Sequence, residues 1–255
     1  MTAAQRFRID GQKALVTGAS KGIGFGLVGL LAEAGADVVA VARDEAGLAE
    51  ARKAVEAHGR RCLTIRADMA SPTEPVAAAE RALAEWGTID ILVNNAGTAT
   101  PRPLIDQTVA EWDQMLDVNL RAPWLMAKTL APAMIAQKRG KIVNVSSQTS
   151  GVALTEHGAY AASKNGLNAL GKVMTAEWAR FNIQINAVCP TVTMTPMGVQ
   201  VWGDRAKLDP FLARVPAGRT AQVIEVCDVI LFLCSQASDM ITGQDVYVDG
   251  GYTAL

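Results

Sequence analysis

The chain has 255 residues, and its 24 Lys+Arg against 25 Asp+Glu leave a formal net charge of −1. Half the residues are hydrophobic and 19% are charged, which excludes a disordered chain, and the even charge excludes nucleic acid or an anionic membrane surface as main partner. No run approaches the ~20 apolar residues that span a bilayer, Arg6, Arg8 and Asp10 break any signal-peptide core, and Cys62, Cys189, Cys227 and Cys234 are too scattered for a disulfide scaffold or thiol-rich metal site.

Apolar runs at residues 14–17, 38–42, 62–65, 89–94, 142–145, 185–189 and 246–248 are mostly Val- and Ile-rich and lack a polar alternate, as strands buried on both faces do. Helix-length segments lie between them. The first, 23–34, follows a glycine-rich turn, and the second, 45–57, ends at His58-Gly59, a glycine suited to a left-handed cap. The third, 72–86, opens on Ser71-Pro72-Thr73-Glu74, which reads as a capping box with proline at the first helical position. Apolar helical segments follow around 120–134 and 159–181, and residues 190–216 show no period. Loops of that length inside a compact domain are usually lids or binding loops. The expected fold is α/β: a single doubly wound parallel sheet (Rossmann fold) with helices on both faces. One domain spans 1–255, with a substrate lid at about 190–216.

The first strand runs into Thr17-Gly18-Ala19-Ser20-Lys21-Gly22-Ile23-Gly24. Gly18, Gly22 and Gly24 permit a tight turn and let a pyrophosphate approach a helix N-terminus, where free N–H groups and the positive dipole end favour it. At the tip of the second strand Arg43, helped by Lys21, suits a 2′-phosphate and favours NADP, whereas Asp44 suits the 2′-hydroxyl of NAD or serves as N-cap of the next helix. Asp68, after the third strand, is placed to accept from an adenine amino group. Asn94-Asn95-Ala96-Gly97 is placed to brace the turn and contact the adenosine ribose.

Tyr160 and Lys164, four apart at the start of a helical segment, project from one face. A phenol with a pKa near ~10 needs its anion stabilised to exchange protons at neutral pH, and a nearby lysine supplies that. Ser146-Ser147 puts hydroxyls at the carboxyl edge of the fifth strand, and Asn119 sits oddly within a helical segment.

Taken together, the Thr17–Gly24 turn, Asn94–Gly97, Asn119, Ser147 and Tyr160-x-x-x-Lys164 resemble the short-chain dehydrogenase/reductases along essentially the whole chain. The resemblance implies that Tyr160 exchanges the proton with the carbonyl or alcohol oxygen, Ser147 hydrogen-bonds that oxygen, Lys164 lowers the tyrosine pKa and holds the nicotinamide ribose, and Asn119 positions Lys164 through a water. Further cofactor contacts fall by the same resemblance on Ser20, Ile23, Met69, Pro190, Thr193 and Thr195. The second half is most similar to the dicarbonyl/L-xylulose reductase branch, which shares Pro190-Thr191 where the wider family has Pro-Gly. That branch implies substrate contacts at Gln148, His157 and Trp202.

The expectation is therefore an NADP-dependent oxidoreductase acting on an α-dicarbonyl, ketose or polyol, cytoplasmic, metal-free and, by resemblance, a homotetramer. Alternatives are a 3-oxoacyl-carrier-protein reductase, an NAD-linked polyol dehydrogenase and, outside enzymes, a dinucleotide-binding regulator. Asp249, near the end of the chain, is expected to brace a turn.

Overall fold

The computed structural model describes residues 2–254. A short helix, α1 (Ala3–Phe7), leads into β1 (Lys13–Thr17), α2 (Gly22–Glu33), β2 (Asp37–Ala42), α3 (Glu45–Glu56), β3 (Cys62–Arg66), α4 (Glu74–Trp86) and β4 (Ile91–Asn94). Next come α5 (Val109–Leu116), a π-helical turn at Asp117–Arg121, α6 (Ala122–Gln137), β5 (Gly140–Val145) and α7 (Gly158–Trp178). The chain continues with β6 (Ile183–Pro190), the short helices α8 (Pro196–Trp202) and α9 (Arg205–Leu212), then α10 (Val223–Cys234) and β7 (Asp245–Val248).

All seven strands are parallel, in the order β3-β2-β1-β4-β5-β6-β7. The order reverses between β1 and β4, so the loops leaving those strands diverge and open a crevice at the carboxyl edge of the sheet. Alternate residues of each central strand feed two separate cores. Ala14, Val16, Val38, Ala40, Ile91 and Val93 pack with α2, α3 and α10; Leu15, Val39, Val41, Leu92 and Ile142 pack with α4, α6 and α7. This two-sided burial is why the strands lack a polar alternate. Leu92 is fully buried, and its truncation to Ala would cost about 2–5 kcal/mol.

The structure corrects three local readings. α4 begins at Glu74, leaving Pro72 outside and Pro75 in the first turn. Ser71 Oγ does accept the Glu74 N–H at 3.2 Å, but the Glu74 carboxylate turns to the Asp68 N–H at 2.8 Å, so the reciprocal box does not close. Asp44 occupies the N-cap of α3 without a side-chain capping bond, so capping does not account for its carboxylate. The stretch read as non-periodic holds two helices, each too short to show a period. Thr195 and Asp204 cap them by accepting the Gly198 and Ala206 N–H groups at 3.1 and 2.9 Å.

Candidate active site

The carboxyl ends of the strands deliver the site. Gly18, Arg43, Asn95, Ser146 and Thr191 follow directly on β1, β2, β4, β5 and β6, and all line one cavity of about 630 Å³. Its nucleotide end is largely main chain. Gly18 and Gly22 take left-handed backbone angles of +67° and +59°. A Cβ on Gly24 would overlap the Gly18 carbonyl oxygen, and one on Gly18 would lie 2.9 Å from Ala96 Cα. Beneath this turn, Thr17 Oγ1 accepts the N–H groups of Asn95 and Ala96 at 3.1 and 3.0 Å. The Asn95 amide donates back to the Thr17 and Gly18 carbonyls at 2.9 and 3.2 Å. Asn95 thus braces the turn, as the sequence implies.

Lys21 is the N-cap of α2 and caps nothing with its side chain. Gly22 and Ile23, at the start of α2 where helix N–H groups lack intrahelical partners, line the cavity together with Lys21 and Arg43. Two-thirds of the Arg43 side chain is exposed, and its guanidinium lies 3.5 Å from the Asp68 carboxylate. Asp68 also accepts the Ala70 N–H at 2.9 Å, so it serves its own loop as well as lining the cavity. A turn with no room for a Cβ at Gly18 or Gly24, a helix N-terminus and the cations Lys21 and Arg43 fit the pyrophosphate and 2′-phosphate of NADP. Ser20, Gly22, Ile23, Met69, Ala96, Gly97, Pro190, Thr193 and Thr195 line the same cavity. Gly24 and Asn119 lie behind its wall.

At the other end, Tyr160 and Lys164 occupy the first two turns of α7. Lys164 Nζ donates to the Val145 carbonyl at 2.8 Å and lies 5.7 Å from the Tyr160 ring centroid. Burial lowers the Lys164 pKa to about 8. Burial also pushes the Tyr160 phenol above its usual value, opposed by a hydrogen bond from Ser147. Desolvation is the largest of these effects, and Lys164 directs its proton to a carbonyl. Ser147 Oγ accepts the Thr149 N–H at 3.2 Å, which leaves its own proton free to donate.

Asn119 is fully buried in the π-helical turn. Its Oδ1 accepts the Thr98 N–H at 2.9 Å, and its amide donates to the Thr98 carbonyl at 2.9 Å and Ser163 Oγ at 3.1 Å. Ser163 in turn donates to the Tyr160 carbonyl at 2.7 Å. A Cβ on Gly97 would sit 3.5 Å from Asn119 Oδ1 and 3.7 Å from Lys164 Nζ, so both groups border one small space. The asparagine is explained by these bonds: buried in the π turn, it satisfies the Thr98 backbone and Ser163 at once.

Helix α8 and the turn before α7 close the cavity near Tyr160. His157 Nδ1 lies 2.7 Å from the Thr155 carbonyl, an oxygen that only accepts, so the proton sits on Nδ1 and Nε2 is an acceptor. Burial holds the imidazole pKa below its usual value. The His157 ring stacks on Trp202 with centroids 6.0 Å apart; Trp202 packs on Phe211 at 4.7 Å, and Phe211 stacks on Tyr252 at 5.0 Å. Asp249 braces the turn that carries Tyr252, accepting the Gly251 and Thr253 N–H groups at 3.0 and 2.9 Å. Gln148 lines the cavity with both amide atoms unpartnered, as are the hydroxyls of Thr149 and Thr191. Thr149 carries no signal in the sequence; Thr191 does, as the bulkier residue beside Pro190.

Residues 18–253 match the family model described as enoyl-(acyl carrier protein) reductase. The chain is 45% identical over 251 residues to L-xylulose reductase of Bos taurus, covering 97% of this chain and 98% of the relative. It is 39% identical to D-threitol dehydrogenase of Mycolicibacterium smegmatis, covering 99% of each. A gluconate 5-dehydrogenase from Burkholderia cenocepacia, solved in complex with NADP and tartrate, superposes with a TM-score of 0.95 at 39% identity over the full length of both chains. With these matches along its whole length and this constellation at its carboxyl edge, the chain belongs to the short-chain dehydrogenase/reductase family.

Proposed function

We propose that this protein is an oxidoreductase that transfers a hydride between NADP(H) and a small carbonyl or alcohol substrate: an α-dicarbonyl, ketose or polyol. The observation that carries the reading is the meeting, in one cavity, of a glycine cradle with the cations Lys21 and Arg43 and of a Ser147–Tyr160–Lys164 cluster. The nicotinamide cofactor supplies or receives the hydride. Gly18, Gly22 and the start of α2 would hold its pyrophosphate, Arg43 and Lys21 its 2′-phosphate, and Asp68 the adenine edge.

Tyr160 gives its phenolic proton to the carbonyl oxygen during reduction, or takes the hydroxyl proton during oxidation. Ser147, with its acceptor side occupied by Thr149, donates to the same oxygen and stabilises the charge developing there. The buried ammonium of Lys164 offsets the desolvation that makes the Tyr160 anion costly. Asn119 fixes the Thr98 segment and, through Ser163, the α7 turn that carries Tyr160. His157 Nε2, Gln148 and Trp202 form the wall that receives the rest of the substrate.

Rates on a panel of diacetyl, xylulose, several polyols and an acetoacetyl thioester, each with NADP(H) and NAD(H), test the reading. Turnover of the first three with NADP(H) is expected; preference for the thioester overturns the substrate class. Arg43→Ala should weaken NADPH binding about tenfold or more and leave NADH within twofold; equal losses by fluorescence titration would remove the phosphate contact.

The assembly in this reading is a homotetramer. Exposed Val109, Trp112, Trp124 and Val173 on α5, α6 and α7 support it, and sedimentation velocity tests it. No helix among the described residues is long and apolar enough to cross a membrane, and Cys62, Cys189, Cys227 and Cys234 are free.

A further inference from the structure

The substrate end of the cavity is polar, and the cation within it, Lys164, is the one assigned above to Tyr160. Among the described residues, the basic side chains lining the cavity are Lys21 and Arg43, at the nucleotide end, and Lys164, whose Nζ is bound to the Val145 carbonyl. The substrate wall itself offers uncharged groups: Gln148, Thr149, Thr191 and a His157 imidazole kept neutral by burial.

One further cation comes close. Lys207, on α9, lies 5.4 Å over the Trp202 ring, and Trp202 stacks on His157. The charge of Lys207 also acts on His157, depressing its pKa after the larger effect of burial. Yet Lys207 Nζ is paired with Glu156 Oε2 at 3.0 Å, and neither side chain lines the cavity itself.

Glu156 is held in place by more than that pair. Its backbone is left-handed at φ +66°, a region that disfavours a glutamate, and its carbonyl accepts the Arg102 N–H at 2.9 Å. The turn fixes the carboxylate immediately before His157 while keeping it out of the cavity lining. Both members of the pair are partly exposed, 35% and 41%, so the pair adds little to stability. Its effect lies in the charge beside Trp202 and His157, where Lys207 and Glu156 act on the imidazole in opposite senses.

We propose that Glu156 is a specificity-determining residue. By neutralising Lys207 beside the His157–Trp202 wall, it confines the site to uncharged ketoses, polyols and dicarbonyls and denies a sugar acid the cation its carboxylate requires. This inference rests on the proposed oxidoreductase reading of the same cavity.

The test compares kcat/KM for fructose with that for 5-keto-gluconate, a keto acid of the same chain length, with diacetyl as a reference. The proteins are the wild type, Glu156→Gln, Glu156→Asn and Glu156→Gln combined with Lys207→Met. Asparagine tolerates the left-handed backbone, so it removes the charge with least disturbance of the turn.

The wild type should favour fructose. Both single substitutions should raise kcat/KM for the keto acid about five- to tenfold, the size of one uncovered charge at a partly exposed site, with fructose within twofold. Adding Lys207→Met should cancel the gain. Equal use of the two sugars by the wild type, a parallel change in both, or a gain that survives loss of Lys207 overturns the proposal. A wild type that reduces no carbonyl, diacetyl included, defeats the oxidoreductase reading itself and the proposal with it.

Discussion

At its nucleotide end the cavity is made of main chain held by side chains: Thr17 and Asn95 pin a turn in which Gly18 and Gly24 leave no room for a Cβ. At its substrate end the roles are exchanged, and a ladder of rings from His157 through Trp202 and Phe211 to Tyr252 gathers three distant segments into a wall. The first kind of site reads a ligand common to many reactions and depends on backbone shape. The second reads a particular ligand and depends on which side chains meet. Substitutions should therefore separate cofactor affinity from turnover and from substrate affinity.

The largest effect is expected between the two ends, where chemistry occurs. Tyr160→Phe should lower kcat by about a thousandfold while NADPH affinity, read by fluorescence titration, stays within threefold. A variant retaining a tenth of the activity would remove Tyr160 as proton donor. Gly24→Ala comes next. The added methyl meets the Gly18 carbonyl and the Asn95 amide, and NADPH binding should weaken about ten- to a hundredfold. Retained affinity would mean that the cradle yields more than its packing implies.

Trp202→Ala acts on the other end alone. Loss of its packing on His157 and Phe211 should raise KM for a ketose about three- to tenfold, with NADPH affinity unchanged; a matching loss of cofactor affinity would join the two ends that the comparison separates. The smallest effect is on stability. Burial sets Lys164 at about 8 against an ordinary 10.5, so the folded chain gives up this proton before the unfolded chain does. The cost of burying the ammonium is complete below pH 8 and declines as the pH rises toward 10.5. Lys164→Met should therefore raise Tm at pH 7 by about 2–4 °C, with the gain shrinking between pH 8 and 10. A gain independent of pH would locate the effect in packing instead.

Much of the nucleotide end is legible in the sequence because its constraints are local. A glycine that must turn left-handed, such as Gly18, announces itself within one turn and one helix. The strands were legible for a related reason: burial on both faces leaves unbroken apolar runs. The sheet-edge hydroxyl of Ser147 and the Tyr160–Lys164 spacing were legible as well, since strand ends and one helical turn fix them.

What escaped depends on contacts between distant segments. The direction of the Tyr160 pKa follows from desolvation by neighbours that no spacing reveals. Helices α8 and α9 are too short for periodicity to show, and Asp44 sits where a cap belongs without acting as one. Asn119 stood out as a poor helix former, but its bonds to Thr98 and Ser163 exist only once the fold brings those segments together.

Tyr252 belongs to the turn that follows β7, yet its ring is the footing on which Phe211, and through it Trp202, rests. That turn is thus a foundation of the chamber rather than a connector beside it. A substitution that empties it, such as Tyr252→Ala, would tilt the chamber's roof from below. An assay on that variant would then report an altered appetite for substrate and an intact grip on the coenzyme.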